Sequence, residues 1–79
     1  MRIEYSPDEQ LLYLRLGAGE VAHTVELEPN VYVDLDAAGA PLGVEFLNAA
    51  DLLPFIARHG GALGGPDDIA AALAERRAS

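Results

Sequence analysis

Apolar residues in the first half of the chain recur at every second position. Ile3 and Tyr5 alternate with Arg2 and Glu4, and Leu12, Leu14 and Leu16 alternate with Leu11, Tyr13 and Arg15. Val21, His23, Val25 and Leu27 then alternate with Ala22, Thr24, Glu26 and Glu28. Two more runs, Val31 to Asp36 and Leu42 to Leu47, complete a set of five short strands. A period of two marks an extended strand with one face buried. Turn-forming stretches separate the runs: Ser6-Pro7-Asp8-Glu9, Gly17-Ala18-Gly19 and Pro29-Asn30. Such short connections suit antiparallel neighbours, because parallel strands need crossovers of a dozen or more residues. The pattern predicts an antiparallel β-meander.

Beyond Leu47 the period changes. Asp51 to Gly60 reads as a short helix, with Asp51 as N-cap, Pro54 in the first turn and Gly60 in the left-handed position past the end. Residues 60–65 form a glycine-rich, flexible link. A second helix is expected from Pro66 to Ala78, with Asp67 and Asp68 in its first turn and Arg76 and Arg77 in its last, complementing the helix dipole. Its apolar stripe, Ile69 and Leu73, is thin, so it is expected to dock weakly or on another subunit. The chain is thus one α+β domain: a five-stranded antiparallel β-meander followed by one or two short C-terminal helices. Residues 1–59 hold the meander and first helix, 60–65 the link, and 66–79 the last helix.

The run from Asp34 nearly matches a calcium-binding EF-hand loop, with acids at places one and three, Gly39 at six and Glu45 at twelve. Its flanks are strand-like, however, and the fifth place, Ala38, offers no oxygen. Three carboxylates fall short of the ~6–8 oxygens calcium takes. A hairpin explains more. With Ala37 to Ala40 as its loop, Asp36 faces Pro41, Leu35 faces Leu42, Val33 faces Val44 and Val31 faces Phe46. A slip of one residue would set Leu42 and Val44 against aspartates, so the apolar pattern selects the register. Tyr32, Asp34, Asp36 and Glu45 then share the outer face, expected to be solvated.

Composition sharpens the picture in two ways. Apolar residues make up 51% of only 79, and there is no cysteine for a disulfide. So small a chain buries a modest core, and surplus apolar surface points to a homo-oligomer. Thirteen carboxylates against five arginines give a net charge of −8. That field repels phosphate, which argues against nucleic-acid binding and permits a small basic protein as partner. No apolar run resembles a secretion signal or a membrane span, so a cytoplasmic protein is expected.

Chemistry is scarce. Ser6 lies in a turn, Thr24 in a strand and Ser79 at the end, none beside a base. His23 keeps phase with the apolar residues of its strand and is read as packed at the sheet rim, and His59 as a partner of the first helix's C-terminal dipole. The glycine clusters lack the strand–loop–helix setting and the lysine of a phosphate cradle. No enzyme, no cofactor and no metal site is expected. Tyr13, Tyr32, Asp34, Asp36, Glu45 and Leu47, with Leu11, form instead a candidate protein-interaction face of aromatics among acids.

Two segments resemble a known family. Ile3-Glu4-Tyr5-Ser6-Pro7 with Leu12-Tyr13-Leu14-Arg15-Leu16, and Val33-Asp34-Leu35-Asp36 running through Gly39 and Gly43-Val44-Glu45 to Ala49, are similar to the bacterial and archaeal family called domain of unknown function 2283. Gln10 stands where that family often has aspartate. The resemblance covers about the first fifty residues. It implies a small β-meander with a terminal helix and no catalytic residue. Some relatives look as though they are paired with toxin-like ribonuclease genes, which implies an antitoxin-like role. The leading expectation is a non-enzymatic, homo-oligomeric interaction module. The alternatives are an antitoxin-like protein neutralising a small basic ribonuclease, and a carboxylate-based metal or small-molecule site between subunits.

Overall fold

A computed structural model of the chain describes residues 1–78 and the side chains of residues 1–76. The expected dipole contribution of Arg77, and Ser79, lie outside the described residues. The strands are β1 (Arg2–Ser6), β2 (Leu11–Arg15), β3 (His23–Glu28), β4 (Val31–Leu35) and β5 (Pro41–Phe46). A 3-10 turn (Ala49–Asp51) leads into α1 (Leu52–Arg58), and α2 (Pro66–Ala78) follows. The α+β class is as expected, with one antiparallel five-stranded sheet and two C-terminal helices.

Strand order departs from a plain meander at one place. It runs β1-β2-β5-β4-β3, so β2 pairs with β5 and not with β3. Residues 16–22 carry the chain around the tip of the β4–β5 hairpin to the far edge. That is three strand spacings, about 14 Å, well within the reach of seven extended residues. Leu16 N and Gly17 N donate to Leu42 O at 2.9 and 3.3 Å, and Ala22 N donates to Leu35 O at 2.8 Å, so the connection is stitched to that tip. Strand β5, almost wholly buried, takes the centre, and the largely exposed β3 takes an edge.

Pairing of β4 with β5 follows the expected register at Val31–Phe46 and Val33–Val44. Nearer the loop it does not: Leu35 faces Pro41, not Leu42, because the register shifts after Asp34. The displaced Leu42 is buried all the same. Asp36 does not face Pro41 as expected; its N–H donates to Ala40 O at 3.0 Å. Its Oδ1 accepts from Ala38 N and Ala40 N, both at 2.9 Å, closing the loop in which Gly39 takes φ +88°.

One face of the sheet, with Leu14, Val31, Val33, Val44 and Phe46, packs under the helices. Helix α1 contributes Phe55, whose ring meets Phe46 edge-on at 5.2 Å between centroids. Helix α2 contributes Ile69, Ala72 and Leu73, all buried in the same chain. The stripe expected to dock weakly or elsewhere is therefore core, since Ala72 lets the helix approach closely. The helix starts and ends also differ in detail. Asn48, not Asp51, supplies a capping oxygen, accepting from Ala50 N at 3.1 Å. Gly60 adopts φ +95° past α1 as expected, and Gly61 N donates back to Ile56 O at 2.8 Å, closing the helix end. The link is not loose, because Leu63 packs on the core.

Candidate functional site

The opposite face of the sheet is built from polar side chains in register. Glu4, Tyr13, Glu45, Tyr32 and Glu26 lie side by side in one row across all five strands. Arg2, Arg15, Gly43, Asp34 and Thr24 form the next row. Directly opposed residues stand ~5 Å apart and interact, so a row of alternating glutamate and tyrosine is a chain of neighbouring pairs.

Tyr13 leans diagonally across β5. Its hydroxyl donates to Asp34 Oδ2 at 2.8 Å, and Thr24 Oγ1 donates to Asp34 Oδ1 at 2.7 Å. One carboxylate of β4 thus ties β2 and β3 together over the strands between. The path is open only because residue 43 is glycine: a Cβ there would run into the Tyr13 phenol. Arg15 lies 5.3 Å from the centre of the Tyr13 ring and holds Glu4 through Nε at 3.0 Å and Nη2 at 3.3 Å. Arg2 Nε approaches the same carboxylate at 3.4 Å.

Of the six residues expected to form an interaction face, four come together: Tyr13, Tyr32, Asp34 and Glu45. Asp36 is spent on the hairpin loop, and Leu47 is exposed past the end of β5. Asp34 corrects the expectation of a purely solvated acidic face, since it is half-buried with both oxygens engaged. Sequence reasoning missed Glu4, Arg15, Thr24, Glu26 and Gly43. A glycine inside an otherwise apolar strand was the available signal, for it often marks a close approach.

A second polar cluster binds helix to sheet. Glu28, at the end of β3, pairs with Arg58 and with His59 Nε2, the latter at 3.2 Å. The His59 ring lies 4.4 Å from that of Phe55. The His59 backbone N–H closes α1, and its ring, expected to act on the helix dipole, has a carboxylate partner from the sheet. His23, read as packed at the rim, stands exposed at the start of β3.

The proton chemistry is quiet. Burial first, and then the bond to Asp34, pushes the Tyr13 phenol up to about 12. The charge of Glu26, and the hydrogen bond Tyr32 donates to it, raise Tyr32. The Arg15 hydrogen bond lowers Glu4. Burial pulls Glu28 upward, but its bonds to Arg58 and His59 outweigh that and leave it lowered. Every one of these shifts moves a group away from neutrality, the reverse of what general acid–base work uses. An open depression of about 300 Å³ is lined by Glu4, Tyr5, Ser6, Leu11, Leu12, Tyr13 and Glu45. Another of about 200 Å³ lies between the helices, beside Arg58, His59 and Asp68. Among the described residues, no three His, Cys, Asp or Glu side chains come together as a metal site, and no helix is long and apolar enough to cross a membrane.

Comparison with known proteins adds one relationship. Residues 2–49 match the family described as Protein of unknown function (DUF2283). No curated protein and no solved structure matches the chain. The matched region holds all five strands and both polar rows, while the helices that roof the core lie beyond it. Because that match spans more than half of its residues, the chain belongs to the DUF2283 family.

Proposed function

We propose that this chain is a non-enzymatic protein-interaction module that works as a homo-oligomer. The observation that carries the reading is an unfinished core. Ile3 and Tyr5 stand opposite Leu14 and Leu12, on the same face as the buried residues. They nevertheless remain 57% and 55% exposed, and Met1 beside them is 60% exposed. The reason is the placement of α2, which contacts β5 and β3 and leaves the β1 side of that face bare. Apolar surface continuous with a core is what an oligomer interface covers. Light scattering coupled to size exclusion, across a range of concentrations, tests this. A mass of two or more chains is the expected result, and a monomer throughout overturns the reading.

A second reading is supported by the outer face. Three glutamates alternate there with two tyrosines, on a chain of net charge −8. Aromatic rings framed by acids suit a basic protein surface, as in an antitoxin-like protein covering a small ribonuclease. Calorimetric titration with an arginine-rich protein is its test. Binding that weakens steeply with salt, and that Tyr32→Ala reduces, is expected; salt-independent binding or none overturns it.

A further inference from the structure

Resting on the self-association reading above, we infer that two copies join edge to edge through β1, antiparallel, about a two-fold axis through Ile3. The sheet has two edges, β1 and β3. A free edge offers unpaired backbone donors and acceptors, and proteins that keep an edge single blunt it with bulges, charges or a covering element. Strand β3 carries such devices: its register shifts between Glu26 and Glu28, it bears two glutamates, and α2 packs against it. Strand β1 carries no bulge, and its two charges, Arg2 and Glu4, are opposite in sign. Its pairing with β2 is unbroken from Arg2 to Ser6, and it holds no proline.

The residues of β1 select the register. A two-fold axis perpendicular to the sheet keeps both apolar faces on one side, so only registers that pair like faces are allowed. With the axis at Ile3, Ile3 meets the partner's Ile3 and Tyr5 meets the partner's Met1, all apolar and all exposed in the single chain. On the other face Arg2 meets the partner's Glu4, twice. Shifting the axis to Glu4 would set two glutamates directly opposite each other, which is unfavourable. The charge pattern of this short edge is therefore self-complementary in one register and self-repelling in the next. The product is a continuous sheet of two chains, with the bare strips meeting between two sets of helices.

A charge exchange tests the pairing. The Arg2→Glu chain presents two acids along β1, and the Glu4→Arg chain presents two bases. Each alone is expected to self-associate about tenfold more weakly than the unaltered chain, while an equimolar mixture recovers the dimer, as two reversed surface pairs imply. Circular dichroism checks that both variants fold. Since the chain has no cysteine, Ile3→Cys supplies a second readout. It is expected to form a disulfide-linked dimer on oxidation at least tenfold faster than Val21→Cys, which lies on the 16–22 connection. A monomeric unaltered chain overturns both this inference and the reading beneath it. A dimer that the mixture fails to rescue, or equal linking at both cysteines, overturns the β1 pairing alone.

Discussion

The two faces of this one sheet are held by different physics. On the inner face Leu14, Val33, Val44 and Phe46 are buried against Phe55, Ile69 and Leu73, with no polar group among them. On the outer face the strands present Tyr13 and Thr24 bonded to Asp34 at 2.8 and 2.7 Å, and Arg15 bonded to Glu4 at 3.0 and 3.3 Å. Burial is nondirectional, so the inner face needs only apolar side chains of fitting volume at alternate positions. The outer network is directional and needs one side chain, Tyr13, to cross one glycine and reach one carboxylate. A volume-conserving apolar exchange costs the inner face little, whereas even one added methyl group at residue 43 undoes the outer network.

The largest expected effect lies on the inner face. Val33 is wholly buried, and Val33→Asp puts an unpaired charge where nothing can solvate it. A penalty comparable to the ~5–15 kcal/mol total stability of a small domain is expected. The variant should yield no soluble folded protein by circular dichroism. A folded variant would break the comparison at its root.

Next in size is Gly43→Ala, which sets a Cβ against the Tyr13 phenol and is expected to cost about 1–3 kcal/mol in denaturant unfolding. The cost should nearly vanish in a Tyr13→Ala background, leaving a coupling energy of ~1–2 kcal/mol. An equal cost in both backgrounds would mean that Gly43 serves the backbone and not the ring.

The smallest is Asp34→Asn, which keeps shape but removes a charge and one acceptor. Folding should persist at a cost of about 1 kcal/mol. Alkaline titration followed by tyrosine absorbance reports the same bond. The Tyr13 phenol titrates at about 12 against an ordinary 10.0. Its protonated form is thus favoured by folding, and that stabilisation is complete below pH 10 and lost as pH rises through 12. In Asp34→Asn the value should fall only part of the way back, because burial is the larger cause. No change at all would remove Asp34 from the account.

Local patterns carried most of the architecture. The period of two located all five strands, proline and glycine located the turns, and the apolar pairing in the hairpin was legible at Val31–Phe46 and Val33–Val44. Three things were not. The bulge that sets Leu35 against Pro41 involves no change of apolar pattern. Among its described residues helix α2 shows a stripe of three buried ones, Ile69, Ala72 and Leu73, too thin for its docking place to be read from sequence. The Tyr13–Asp34 bond joins residues 21 apart on strands that are not neighbours.

By itself the sequence determined which residues are strand, turn and helix, and which face of each strand is apolar, because each of these is written in local periodicity and spacing. The order of the strands, the roof of the core and the meeting of Tyr13, Gly43 and Asp34 were decided only by the tertiary structure. They depend on which strand occupies the centre of the sheet. The tertiary structure places β5, the most buried strand, between β2 and β4, and no local signal encodes that.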